Sequence, residues 1–295
     1  MNINCVFSGG GVKAFAFIGA LQSLKSNRYH IERVAGTSAG AIIASLIAAK
    51  YTVEEIYELL MELHLKQFMD LPFLSKTIPF SKWLMLYFNM GLYKGERFEK
   101  WLYQVLAKKG IYTFADIEEE RLKVLVSDVT LGKLVIFPDD INRLYGLSEK
   151  DLTVASAVRM SASFPYFFMP KKWRGADHKE YYFVDGGLLS NFPLWIFNQR
   201  RTKQRNKTLG FTLQDSLEHI KPQEINNALD MLQAIFIAML HAHDTRYIAK
   251  SKQDNIVFIP VKNVQTTDLS ISNEEKEKCI QLGKVKTDEY LRLNK

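Results

Sequence analysis

The sequence predicts an α/β fold: a three-layer α/β/α sandwich with a mostly parallel central sheet and a helical insertion over about residues 52–120. Three observations point there. The first fifty residues alternate short apolar runs with helical ones in a βαβα rhythm. A glycine-containing turn sits where each of the first two strands hands over to a helix. The chain, at 295 residues and 47% hydrophobic, has material for a sizeable core.

Ile3 to Phe7 reads as the first strand, because it has no basic leader and stops at glycines instead of running on as a signal peptide would. Val12 to Leu24 follows as a helix, Ile31 to Ala35 as a second strand and Ala39 to Ala48 as a second helix. The longest apolar stretch, Ala39 to Ala49, is well short of the roughly 20 residues of a membrane-spanning helix. Thr52-Val-Glu-Glu55 has the pattern of a capping box, and the helix it opens carries Ile56, Leu59, Leu60 and Leu63 on one face. Phe68 to Leu92 is dense in aromatics and methionines but broken by Pro72, Lys76, Pro79 and Lys82, which fits either packing within the insertion or a lid facing lipid.

Gly95 to Leu106 is amphipathic, and Leu122 to Asp128 and Lys133 to Phe137 read as a strand pair around Thr130-Leu-Gly132. Leu152 to Met160 is helical and Tyr181 to Val184 a strand, with an uneven polar loop around Trp173 to His178 between them. Later come a strand at Thr208 to Leu213, a long apolar helix at about 227–249, a strand at Ile256 to Pro260 and a helix at Glu274 to Leu293. Without repeats or a clear linker, a single domain over 1–295 is expected, motif-bearing over about 3–215 and C-terminally helical over 222–295.

Cys5 and Cys279 are too isolated for a disulfide framework or a thiolate zinc site and read as buried thiols. The net charge of +7 suits acidic partners such as anionic headgroups. A solvated loop equally explains the run Arg200, Arg201, Lys203, Arg205 and Lys207. No base-stacking motif or nucleic-acid module accompanies these charges, so no nucleic-acid partner is expected.

Gly36-Thr-Ser-Ala-Gly40 lies between a strand and a helix, where a sharp turn exposes the Ser38 hydroxyl at a helix N-terminus. Ser8-Gly-Gly-Gly-Val-Lys13 follows the first strand, and its amides can converge on a phosphate or an oxyanion. It lacks the lysine spacing of a Walker loop, and Ala14 and Ala35 stand where a dinucleotide site needs glycine and an acid. A serine needs a base. Asp185 in Val184-Asp-Gly-Gly-Leu188 ends a strand and is the preferred candidate. His241 and His243 leave a triad with Ser38 and Asp185 open, although only two strands precede the serine. His30, His64, His178 and His219 read as surface residues, and His241-Ala-His243 lacks the spacing of a helical metal site.

Gly9-Gly-Gly-Val-Lys-Ala14, Gly36-Thr-Ser-Ala-Gly40, Ser161-Ala-Ser-Phe-Pro165 and Asp185-Gly-Gly187 together resemble the blocks of bacterial-type patatin-like phospholipases, in order and spacing. The resemblance implies lipid acyl hydrolysis by a Ser38–Asp185 dyad through an acyl-enzyme, with an oxyanion hole from Gly9, Gly10, Gly11, Val12 and Ala39. Lys13, Gly36, Gly40, Gly186, Gly187, Ser163 and Pro165 would support these motifs, and the Ser161 to Phe168 stretch would either shape an acyl pocket or pack in the interior without touching substrate. No metal or cofactor is implied. The expected partner is a phospholipid or other fatty-acyl ester, the expected place the cytoplasm, with peripheral membrane contact and signal-less export left open. An acyltransferase with the same dyad, or a non-catalytic lipid- or protein-binding module, remains the alternative.

Overall fold

The computed structural model describes residues 1–71, 86–197, 206–214, 225–226, 255–262 and 264–294, with isolated positions between 231 and 239. In chain order the elements are β1 (Asn2–Phe7), α1 (Ala16–Ser26), β2 (His30–Thr37), α2 (Ala39–Ala48), α3 (Val53–Met61), β3 (Gly91–Tyr93), α4 (Glu96–Ala107), β4 (Leu122–Asp128) and β5 (Lys133–Phe137). There follow α5 (Asp140–Tyr145), α6 (Val154–Ser161), β6 (Tyr166–Phe168), β7 (Lys171–Arg174), β8 (Glu180–Asp185), β9 (Lys207–Thr212), β10 (Ile256–Phe258) and α7 (Asn273–Leu293).

The fold is α/β, with a mixed and mostly parallel sheet in the order β10-β9-β1-β2-β4-β8-β7 and β5 paired to β4. β10, β9, β1, β2 and β4 run parallel, while β5, β8 and β7 join antiparallel. Period-two alternation sorts the strand residues between two cores. Ile3, Cys5 and Phe7 enter the larger core while Val6 enters the smaller, and Val124 and Val126 likewise part from Leu125. α1, α2, α4, α6 and α7 all contribute to the larger core. Phe192, Leu194, Ile196 and Phe197 cover the opposite face. The helix expected at about 227–249 lies outside the described residues.

Local chemistry sets several element ends. Thr52 and Glu55 form the expected capping box, Glu55 N–H donating to Thr52 Oγ1 at 3.2 Å and Thr52 N–H to Glu55 Oε2 at 2.7 Å. Ser272 and Glu275 repeat it at the start of α7. The chain after β1 is not helical throughout: a 3-10 turn at Gly11–Phe15 precedes α1. The stretch expected as an uneven loop holds two strands, β6 and β7, and β6 pairs with β3 in a separate parallel ribbon. The insertion is therefore not purely helical. In the aromatic segment Phe68 packs edge-on to Phe98 while Tyr87 and Phe88 are exposed, and residues 72–85 lie outside the described residues, as do Arg200, Arg201, Lys203 and Arg205. Cys5 and Cys279 are both buried free thiols, as expected.

Three partners compete for the two edges of β4, and this places the site. β5 pairs along 124–128 on one edge. On the other, β2 pairs along 122–125 and then stops, and β8 takes over along 126–128 from the opposite direction. Since β2 and β8 run head-on, their C-terminal ends meet: Thr37 lies beside Leu125 and Asp185 beside Val126.

Candidate active site

Ser38 is the residue after β2 and the N-cap of α2, with φ 54° and ψ −125°. Such a left-handed conformation costs a non-glycine residue on the order of 1–3 kcal/mol and persists only where surroundings enforce it. The turn is tight enough that a side chain at Gly36 would fall against the Gly40 carbonyl, and one at Gly40 against the Phe7 and Ser8 carbonyls. The flanking glycines thus let the elbow pass against the end of β1.

Asp185 ends β8 and is buried, 3% exposed. The Ser38 hydroxyl donates directly to its Oδ2 at 2.6 Å, and the Gly187 amide donates to its Oδ1 at 2.8 Å. Burial pushes the Asp185 carboxyl up to about 7, against the opposing pull of the Ser38 and Gly187 hydrogen bonds. The bond from hydroxyl to carboxylate has no imidazole in between. His30, His64 and His178 are exposed, and His219, His241 and His243 lie outside the described residues.

The glycine loop lies beside Ser38: a side chain at Gly9 would come within 3.3 Å of Ser38 Cβ. Of its three glycines, Gly11 alone has a left-handed φ, 55°. The expectation of four converging amides needs correction, because Gly9 N–H donates to the Asn191 carbonyl at 3.2 Å and Val12 N–H to the Thr266 carbonyl at 3.1 Å. Their donors are spent on neighbouring backbone. Among the described residues no acceptor is paired with the amides of Gly10, Gly11 or Ala39, the last at the N-terminus of α2. Lys13 sits half-buried in the following turn, and Pro165 half-buried before β6.

Two further side chains converge from the end of α6. The Ser38 amide donates to Ser161 Oγ at 2.8 Å, and that hydroxyl donates to the Leu125 carbonyl at 2.6 Å. The Asp185 amide donates to the Ser163 carbonyl at 2.9 Å. Arg159, 1% exposed, donates to Ser163 Oγ, to the Gly95 carbonyl at 3.1 Å and to the Met169 carbonyl at 2.9 Å, and lies over the Phe168 ring. Burial lowers the Arg159 guanidinium to about 10. Sequence reasoning gave Arg159 no role; an arginine on an otherwise apolar helix face was the available signal. Among the described residues no group of three or more His, Cys, Asp or Glu side chains converges on a metal-sized site. Among the same residues no helix is long and apolar enough to cross a membrane.

The profile of the family described as Patatin-like phospholipase matches residues 5–198. The uncharacterized protein YqhO of Bacillus subtilis (strain 168) is 41% identical over 292 residues, spanning 99% of each chain. The probable lipid hydrolase 463L of Invertebrate iridescent virus 6 is 26% identical over 208 residues, covering 68% of this chain and 65% of that protein. The crystal structure of VipD from Legionella pneumophila shares the fold with a TM-score of 0.58 at 17% identity, over 99% of this chain and 67% of that one. The family match and the fold place the chain among the lipid hydrolases of α/β architecture. Within that class, the chain belongs to the patatin-like phospholipase family.

Proposed function

We propose that this protein is a serine esterase of the phospholipase A or lysophospholipase kind, releasing fatty acids from lipid esters through an acyl-enzyme. The observation that carries the reading is the 2.6 Å hydrogen bond from the Ser38 hydroxyl to the buried Asp185 carboxylate. A serine hydroxyl attacks only when a group accepts its proton, and an ordinary carboxylate is a weak base. Desolvation answers the second difficulty by raising Asp185 to about 7. In the first step Asp185 takes the proton while Ser38 Oγ bonds to the acyl carbon. The oxyanion is held by the Gly10, Gly11 and Ala39 amides, aided by the positive end of the α2 dipole. Collapse expels the alcohol, which recovers the proton from Asp185. Water then attacks the acyl-serine with Asp185 again as base, freeing the fatty acid and Ser38.

The test is fatty-acid release from mixed phospholipid, lysophospholipid and triacylglycerol by the native chain, Ser38→Ala and Asp185→Asn. Both variants are expected to lose at least about 10³-fold in kcat, as removal of a nucleophile or its base does elsewhere. Native-level release by Ser38→Ala would overturn the proposal.

A further inference from the structure

We propose that the C-terminal turn of α6 positions the dyad, with Ser161 as the positioning residue for the Ser38 nucleophile. The inference rests on the Ser38–Asp185 reading and goes beyond it. The stretch Ser161 to Phe168 was expected to shape an acyl pocket or to pack in the interior; its first residue is fully buried, and the geometry there points to a positioning task.

Ser161 is fully buried, so its hydroxyl has no water to bond and its partners are fixed by the fold. It accepts from the Ser38 amide and donates to the Leu125 carbonyl, joining the elbow to β4. The Ser38 amide lies one residue beyond the last β2–β4 pair, Thr37 with Leu125, where the left-handed φ of Ser38 turns the chain out of the strand. Without an acceptor there, an unsatisfied N–H would add to the strain of the turn. Ser161 therefore stabilises the one backbone conformation that puts Ser38 Oγ within reach of Asp185. It also commits the nucleophile's own amide elsewhere, leaving the oxyanion to Gly10, Gly11 and Ala39.

Two residues on, the Ser163 carbonyl accepts from the Asp185 amide. One turn of chain thus grips the backbone of both partners, and the separation of hydroxyl and carboxylate is set by the span between 161 and 163. Arg159 is the charged side chain bonded into that turn; it clamps Ser163 Oγ and ties the turn to Gly95 and Met169. Ser161 and Ser163 are both fully buried, so neither offers a surface to an acyl chain or headgroup. Their loss should act on the chemical step and leave substrate binding unchanged.

The experiment compares native protein, Ser161→Ala, Ser161→Thr, Ser38→Ala and Asp185→Asn on a soluble short-chain ester across pH, with melting temperatures as a fold control. Ser161→Ala is expected to lose roughly tenfold to hundredfold in kcat with KM near native, the scale of a small misplacement of a reacting group. Its pH–rate midpoint should also rise, because the Ser38 hydrogen bond that holds the Asp185 carboxyl down is weakened. Ser161→Thr retains the acceptor and should recover most of kcat and the native midpoint. Should the alanine variant not fold, the threonine variant decides by its own kcat, KM and midpoint, all three expected near native. A folded Ser161→Ala with native kcat and midpoint, a loss confined to KM, or a threonine variant that folds yet matches the alanine loss would each overturn the inference. Activity surviving in Ser38→Ala or Asp185→Asn would instead overturn the dyad itself.

Discussion

At the scale of single residues, burying the Asp185 carboxyl makes stability depend on pH. Asp185 keeps its proton in the folded state up to about pH 7, whereas in the unfolded chain it ionises near the ordinary aspartate value. A carboxyl raised on folding adds stability that is complete below the unfolded value and is lost as pH climbs through the folded one. By pH 8 the loss is on the order of 4 kcal/mol. Asparagine cannot ionise and can keep both hydrogen bonds, accepting from Gly187 and donating to Ser38. Asp185→Asn is therefore expected to unfold in urea at higher concentration than native at pH 8, by about 2–4 kcal/mol. The advantage should vanish near pH 4. Equal gains at both pH values would show that the carboxylate bears no such cost. The meeting of Ser38 and Asp185 was legible in the sequence, because Gly36 and Gly40 flank the one and Gly186 and Gly187 follow the other. The Ser161 block stood out, but its bond to Ser38 did not, and Arg159 was not singled out, since these partners, Ser38 in one case and Gly95 and Met169 in the other, are set by tertiary packing that no local pattern encodes.

At the scale of elements, the same division holds. Helices with capping boxes and strands of alternating or wholly apolar residues were readable, and the Thr52 and Glu55 bonds form as their spacing predicted. β7 was not readable, because Lys171, Lys172, Trp173 and Arg174 look like surface loop and become a strand through pairing with β8. Nor did the sequence foretell how closely α1 and α7 cross. A side chain at Gly19 would fall on the Ile280 carbonyl, and one at Gly283 on the Ala16 carbonyl. On an isolated helix, glycine to alanine gains about 1 kcal/mol of propensity. Here a methyl would wedge the two helices apart, at the roughly 1–3 kcal/mol of an overpacked core. Gly283→Ala is thus expected to destabilise the protein in urea unfolding, against the propensity rule. A stabilised variant would mean that the crossing is looser than these contacts make it.

At the scale of the molecule, the question is whether the segment matching the family, residues 5–198, is a folding unit. The sheet argues that it is not, and we propose that the chain folds as one domain. β1, which carries the glycine loop, is flanked by β2 and β9, and β9 begins only at Lys207. Phe211 on β9 is fully buried, stacked on Phe7 with ring centroids 5.2 Å apart, and Phe7 meets Phe17 of α1 edge-on at 5.1 Å. Thr266, outside the family segment, accepts from Val12 and so fixes the loop that lies beside Ser38. The buried Lys276 of α7 donates to the Leu60, Met61 and Leu63 carbonyls at the end of α3. Cutting after residue 198 would expose one edge of β1 along its length, strip a layer from α1 and leave those carbonyls unpaired. Each buried side chain lost costs about 1.5–3 kcal/mol, and a few such losses reach the whole stability of an ordinary domain. The full chain should unfold in one transition, with far-UV circular dichroism and tryptophan fluorescence coinciding, and the 1–198 fragment should show no cooperative transition. A fragment that melts cooperatively and releases fatty acid would place the folding unit within the family segment and make everything after it an addition.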